Sequence, residues 1–302
     1  MKIQEAVARY LEYLSVEEKS ENTVKGYAMC FKRFMQWLDA SWGNISNVED
    51  ISQTVVRDFK SFLESRTDRR TGKKLAPNTI NQNLNALKSL FVFFKGKGIN
   101  FRSDPISAIK LIPIASQNDY RWLTRQEVNQ ILHAIEMLKR TGEKRKAMYK
   151  AVIIILVNCG LRVEELSELG LTDVVLDSGL IVIRSGKGEK YRHVPFNVKT
   201  RDILQRWLGH HGGKSPFLFY SQRSQQLSVR AIQHMIEKLS EQTKIKFTVH
   251  QLRHTYGKQV ANERGIEAAA TLLGHSNIQT TRRYTQPSLQ ELREAVEGIE
   301  FE

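Results

Sequence analysis

Val152-Ile153-Ile154-Ile155-Leu156-Val157-Asn158-Cys159-Gly160-Leu161-Arg162-Val163-Glu164-Glu165-Leu166 is an apolar run, a glycine break and a charged segment in succession. The unbroken apolar stretch from Val152 to Val157 predicts a buried helix, and Gly160 is the residue type that ends one. A second helix then starts with Arg162 near its N-terminus. Helix starts already favour anions, so an arginine there adds a phosphate donor to a favourable field. Glu165 lies three residues on, shares that face, and is placed to hold the guanidinium. Taken alone, such an arginine is more often a surface residue.

Just downstream, Gly179-Leu-Ile-Val-Ile-Arg184 and Tyr191-Arg-His-Val-Pro195 flank the turn Ser185-Gly-Lys187-Gly188-Glu-Lys190. Two short β-branched runs about a glycine-rich turn predict a hairpin, with Lys187 at its tip. A solvated lysine is the commoner occupant of such a tip. Further on come His250-Gln-Leu-Arg253-His254-Thr, Leu273-Gly274-His275 and Thr280-Thr281-Arg282-Arg283-Tyr284. A helix over 249–262 would put His250, Arg253 and His254 one turn apart on one face. Arginine forks onto two phosphate oxygens, histidine moves a proton, and a phenol with an ordinary pKa of about 10 needs such cations to become a nucleophile. A solvated helix face is the bland alternative. His250 and His254 also have the spacing of metal ligands, but the zinc-protease pattern needs Glu after the first His and Gln251 stands there. No carboxylate or cysteine cluster completes a metal site, and no phosphate-binding Gly-x-x-x-x-Gly-Lys-Ser/Thr loop is present.

In order, spacing and flanking residues these motifs resemble the tyrosine recombinases, the family of phage integrases and Xer-type enzymes. The resemblance covers the whole catalytic half and, more loosely, the N-terminal half. It implies Arg162 as the first catalytic arginine with Glu165 supporting it, Lys187 as general acid toward the leaving 5′-oxygen, and His250 with Arg253 as the next pair. It further implies His275 as a phosphate donor and Tyr284 as the nucleophile. Gln286 stands where many relatives place His after the Tyr-Thr pair. The implied reaction forms a 3′-phosphotyrosyl link and a Holliday junction, serving replicon-dimer resolution or the integration, excision or resolution of a mobile element. It requires no cofactor and no metal.

Composition is consistent with a polyanionic partner. The chain has 302 residues, enough for two cored domains, with 46 Lys and Arg against 32 Asp and Glu and a formal charge of +14. Membrane-surface proteins can be equally basic, so charge alone decides nothing. The expected partners are a double-stranded DNA recombination site and further copies of the chain, a tetramer of two site-bound dimers, or a close paralogue; no membrane is expected. Cys30 and Cys159 sit in apolar-patterned segments and read as reduced core residues of a cytoplasmic protein. Met1-Lys2-Ile3 leads into an amphipathic pattern, so neither a signal peptide nor an extra N-terminal arm-binding domain is expected, and 152–157 is too short to span a bilayer.

The expected fold is mainly α with a small β-hairpin or sheet: a helical, SAM-like core-binding domain over 1–100, a linker over 101–120, an α+β catalytic domain over 121–285, and a C-terminal helix over 286–302. Gly98, Asp104-Pro105, Pro113 and Ser116-Gln-Asn-Asp119 mark the linker. Before it, four helices are expected, through Ile3, Val7, Tyr10, Leu11 and Leu14; Val24, Tyr27, Phe31, Phe34 and Leu38; Val55, Val56, Phe59, Phe62 and Leu63; and, from Pro77, Ile80, Leu84, Leu87, Phe91 and Phe94. The fourth leaves Asn78, Asn81, Gln82, Asn85 and Lys88 toward solvent or DNA, where amides can read adenine edges. Lys25, Lys32 and Arg33 are further candidates on the second helix. Arg66-Thr-Asp-Arg69-Arg70, Lys73-Lys74 and Lys144-Arg145-Lys146 read as solvated basic turns.

After the linker, Thr124-Arg-Gln-Glu127 predicts a capping box, and Ser228 to Leu239 a helix offering Arg230 and Gln233 to a groove. In the tail, Leu289, Leu292, Val296 and Ile299 form one stripe that packs in cis or, by the resemblance, docks on a neighbouring subunit. Two rival classes share this residue set: a type IB topoisomerase relaxing supercoils as a monomer, and a non-catalytic DNA-binding regulator of the same fold.

Overall fold

Serine and proline signals start three of the helices in the N-terminal half. Ser20 accepts from the Thr23 N–H at 3.1 Å and Ser52 from the Val55 N–H at 3.4 Å, capping α2 (Glu21–Ser41) and α3 (Gln53–Ser65). Pro77 opens α4 (Pro77–Gly96), where its missing N–H costs nothing. With α1 (Ile3–Val16) they complete the expected four. The computed structural model describes residues 1–17, 19–68, 71–113, 121–184, 191–274 and 281, and the chain forms two units, Met1–Ser116 and Gln117–Glu302.

The core of the first unit is aromatic. Phe34 and Phe59 meet edge-on with ring centroids 5.0 Å apart, and Trp37 lies 5.1 Å from Phe59. Such pairs contribute about 0.5–1.5 kcal/mol beyond the area they bury. Leu11, Val24, Tyr27 and Phe62, expected inside, are only partly buried, while Trp37, not among the expected residues, is buried together with Cys30. The cause is rotational: Trp37 follows Cys30 by seven residues and Phe34 by three, on the stripe that faces α3 and α4.

Two expectations for this unit need correction. Residues 101–113, read as the first part of a linker, pack against this unit through Phe101, Ile106, Ala108, Ile109 and Ile112, while Leu111 stays exposed. Phe101 packs edge-on against Phe91 at 5.6 Å, and a 3-10 turn over Pro105–Ala108 buries Pro105 and Ala108. Asn81 is no surface reader, being only 7% exposed. Its Oδ1 accepts from the Ile112 N–H at 2.8 Å and its Nδ2 donates to the Ile112 carbonyl at 2.9 Å, so one amide satisfies both backbone groups of the passing chain. Asn81→Ala is expected to reduce the unfolding free energy by about 2 kcal/mol through the two orphaned groups, visible as an earlier urea midpoint; an unchanged midpoint would sink this reading.

The second unit is built around α6 (Glu143–Asn158), preceded by α5 (Arg125–Glu136), whose Thr124–Glu127 capping box is present. Every residue of α6 from Ala151 to Val157 is buried, so helices pack on all sides of it, chiefly α8 (Val198–His211) and α10 (Val249–Arg264). Lys144, Arg145 and Lys146 are not a turn but the first turns of α6, with the Lys144 ammonium 4.9 Å from the centre of the Tyr220 ring. Next come α7 (Val163–Glu168) and an antiparallel sheet in the order β1 (Val174–Val175), β2 (Leu180–Arg184), β3 (Tyr191–Pro195). The hairpin strands fall where expected. Two-residue β1 was not foreseen, because a pair of valines is too short to show a period of two. Then α9 (Val229–Thr243) precedes α10, and α11 (Ile266–Leu273) follows it. Among the described residues no helix is long and apolar enough to cross a membrane. Both cysteines are buried free thiols, and burial pushes that of Cys159 up to about 12.

Candidate active site

Buried α6 ends at Asn158, and Gly160 turns the chain with φ +61°. Only glycine fits: a Cβ there would stand 2.3 Å from Cδ1 of Tyr256 on α10. Arg162 follows as the N-cap residue of α7. Its backbone N–H donates to Glu165 Oε2 at 2.7 Å and its Nη1 to Glu165 Oε1 at 2.8 Å. One carboxylate thus caps the helix and steers the arginine side chain, as the three-residue spacing predicts.

The same carboxylate has a stronger partner that sequence reading passed over. Arg192 on β3 donates Nη1 to Oε1 at 2.6 Å and Nη2 to Oε2 at 2.9 Å. A signal was present: Arg192 is two residues before buried Val194, on the inward face of the strand, where a cation needs an acid. Burial works to raise the Glu165 pKa, but the Arg192 hydrogen bonds and charge, with help from Arg162, bring it down from 4.5 to about 2. The stability that this depression confers is complete above the unfolded value of 4.5 and is lost as pH falls toward 2.

Arg253 enters from α10, pointing inward beside buried Leu252. Its Nη1 donates to the Gly160 carbonyl and its Nη2 to the Leu273 carbonyl at 2.7 Å, and Nη1 lies 3.8 Å from Glu165 Oε2. Gly274 ends α11 in the left-handed region, φ +62°, and its carbonyl accepts Arg162 Nη2 at 3.1 Å. Three guanidiniums therefore gather about one carboxylate, leaving two positive charges in excess at a half-buried spot. Such a cluster is suited to an anion with two charged oxygens, which a phosphate diester acquires as it is attacked. Tyr256 lies beside it but is a packing group: burial foremost, with Cys159 adding, pushes its phenol up to about 12 against the lowering effect of Arg192 and Arg253.

Arg162, Glu165 and Arg253 are thus brought together. His250 is exposed on α10, its ring centre 6.5 Å from that of His254, and among the described residues no hydrogen bond or ion pair ties it to the cluster. Lys187, His275 and Tyr284 lie outside the described residues, as do Arg69-Arg70, the turn over 185–190, Gln286 and the tail over 286–302.

The candidate DNA-reading side chains separate by surroundings. Asn78, Gln82, Asn85 and Lys88 are exposed along one face of α4, and the first three line a cleft of about 370 Å³ with Gly26 and Tyr27 of α2. Lys25 and Lys32 are exposed on α2, Lys25 within 2.6 Å of Glu21. Arg33 instead points inward, its Nη1 donating to Asn83 Oδ1 at 2.7 Å. In the second unit Arg230 and Gln233 are exposed, one turn apart on α9.

Comparison with known proteins gives the family and the fold. The phage integrase family matches residues 121–291, and the phage integrase N-terminal SAM-like domain matches residues 7–98. Tyrosine recombinase XerA of Thermococcus kodakarensis is 28% identical over 298 residues, covering 97% of this chain and 94% of that protein. Tyrosine recombinase XerC of Bacillus subtilis is 25% identical over 299 residues, 95% of this chain and 93% of that one. Among solved structures, XerH recombinase bound to a palindromic difH substrate aligns with a TM-score of 0.74 at 22% identity, over 91% of this chain and 79% of that one. The Tn1549 transposon integrase in complex with transposon right-end DNA aligns at 0.73 and 20%, over 98% and 99% of the two chains. These last two are likenesses of fold.

Proposed function

The chain belongs to the phage integrase family, and from that premise we propose that it is a site-specific tyrosine recombinase of double-stranded DNA. The Arg162–Glu165–Arg253 cluster carries the proposal: it is an anion site built from exposed and buried guanidiniums at the ends of three helices. In the proposed reaction the Tyr284 oxygen attacks the scissile phosphorus and its proton passes to His250. The bond from phosphorus to the 5′-oxygen breaks, and Lys187 delivers a proton to that oxygen. Arg162 and Arg253 hold the non-bridging oxygens, with His275 donating to the same phosphate. The product is a 3′-phosphotyrosyl link and a free 5′-hydroxyl. A 5′-hydroxyl of a partner strand then attacks the link and returns the phenol, so the phosphodiester energy is conserved and no hydrolysis occurs.

Residues 1–100 and 121–285 take separate roles in this reading, the first gripping the site and the second performing the chemistry. Asn78, Gln82, Asn85 and Lys88, with Lys25 and Lys32, meet the duplex from the first; Arg230 and Gln233 meet it from the second. Arg33, tied to Asn83, orders α2 against α4. Two duplex sites each hold a dimer, and the stripe Leu289, Leu292, Val296, Ile299 docks on the next subunit. Dimer resolution and mobile-element movement both need this chemistry.

The test is a nicked duplex carrying the site that the purified protein selects from a random-sequence library. Wild type is expected to give a covalent protein–DNA band, and Tyr284→Phe, which lacks the nucleophilic oxygen, none. A band surviving in Tyr284→Phe would overturn the assignment. Specific binding with no band in wild type would favour the regulator.

A further inference from the structure

Arg162 donates Nη1 to Glu165 and Nη2 to the Gly274 carbonyl, at 2.8 Å and 3.1 Å, so its aim depends on those two acceptors staying in place. Both rest against Arg192. The carboxylate of Glu165 accepts four hydrogen bonds, two from Arg162 and two from Arg192, which fills its four lone-pair positions. The Arg192 pair is the forked one, two parallel N–H bonds from a single planar group, and this fixes the plane of the carboxylate. The side-chain bond from Arg162 is single and cannot. Gly274 lies directly on the Arg192 stem: a Cβ at Gly274 would stand 3.0 Å from Arg192 Cδ and from its Nη1.

Arg192 is also badly placed for any other use. Its side chain is 19% exposed, against 43% for Arg162, and both terminal nitrogens are committed to Glu165. Its Nε is buried and, among the described residues, has no hydrogen-bond partner. The fold accepts this orphaned donor while both terminal nitrogens are held on Glu165.

We infer that Arg192 is the positioning residue for Arg162: through Glu165 on one side and Gly274 on the other, it fixes both groups that aim the exposed guanidinium. It touches no reacting atom. This role rests on the recombinase reading above. Its position on β3, paired with Ile183 of β2, also ties the hairpin to the start of α7 through a single ion pair.

The experiment compares the rate of covalent-complex formation on two nicked duplexes, one with the natural scissile phosphodiester and one with an uncharged methylphosphonate there. Arg192→Gln is expected to lose about 30- to 100-fold on the diester, the scale of a misplaced catalytic group. On the methylphosphonate, which gives Arg162 one charge fewer to hold, the loss should be below about threefold. The deficit on the diester should widen as pH falls from about 7 to 5, because Glu165 without Arg192 keeps its burial and loses the largest of the effects that hold its pKa down. Arg192→Lys, which restores one charged donor but no fork, should recover about tenfold of the loss. Each variant is assayed below its own melting transition, and if Arg192→Gln does not fold, the same two-substrate ratio and pH profile of Arg192→Lys decide. Equal losses on both substrates, or a deficit independent of pH, would reduce Arg192 to a structural residue and overturn the inference. A wild-type chain that forms no covalent band, or a Tyr284→Phe chain that does, overturns the underlying site reading and this role with it.

Discussion

Arg253→Ala is expected to slow covalent-complex formation by about a thousandfold and also to lower the melting temperature, whereas Arg162→Ala lowers the rate alone. The two arginines are equivalent in the proposed chemistry but not in their surroundings. The Arg253 side chain is 7% exposed and that of Arg162 is 43% exposed. Arg253 satisfies the carbonyls of Gly160 and Leu273, one at the end of α6 and one at the end of α11. Truncation orphans two buried acceptors and leaves a cavity, a loss of about 3 kcal/mol. For a unit of this size that corresponds to a shift of about 6–12 °C. Arg162 is a half-exposed partner of Glu165, and Glu165 keeps Arg192, so its removal costs about 1 kcal/mol or less. Thermal melting beside the suicide-substrate assay separates the two; matching melting curves would show that Arg253 is not the strut described here.

Gly160→Ala should be the most damaging single methyl in the catalytic unit. The backbone is left-handed at φ +61°, and the new carbon would meet Tyr256 Cδ1 at 2.3 Å, Cε1 at 2.9 Å and Leu273 Cδ2 at 3.1 Å. The left-handed conformation costs an alanine about 1–2 kcal/mol, and overpacking adds about 1–3 kcal/mol. The strain also displaces the carbonyl that anchors Arg253, so stability and cleavage should fall together. Pairing it with Tyr256→Ala makes a double-mutant cycle. The collision with the ring disappears in the double variant, leaving the backbone cost and the milder Leu273 contact, and giving a coupling of at least about 1 kcal/mol in urea titrations. Strict additivity would show that the ring yields without resistance.

What could be read from the chain was local. The helices around Phe34, Phe59 and Leu87 follow from apolar residues three and four apart, and the starts at Pro77 and Thr124 from signals within one turn. Arg162 and Glu165 were visible as a pair because they are three residues apart. Errors arose where the determining partner is distant. Asn81 has the profile of an exposed helix amide until residue 112 closes over it, 31 positions later. Residues 101–113 carry the linker signals Asp104-Pro105 and Pro113, yet Ala108 is buried and Phe101, Ile106, Ile109 and Ile112 pack against the core.

The mainly helical class, the hairpin, the basic character and the identities of the residues offered for chemistry were legible before any contact was known, since each depends on composition or on spacings within a turn or strand. How those residues are held depends on partners far away along the chain. Arg192 reaches Glu165 across 27 positions, Arg253 reaches Gly160 across 93, and Arg162 reaches Gly274 across 112. No local periodicity encodes such pairings. They exist because the packing of α10 and α11 near α6 brings buried carbonyls and one carboxylate to the same place, where guanidiniums must satisfy them.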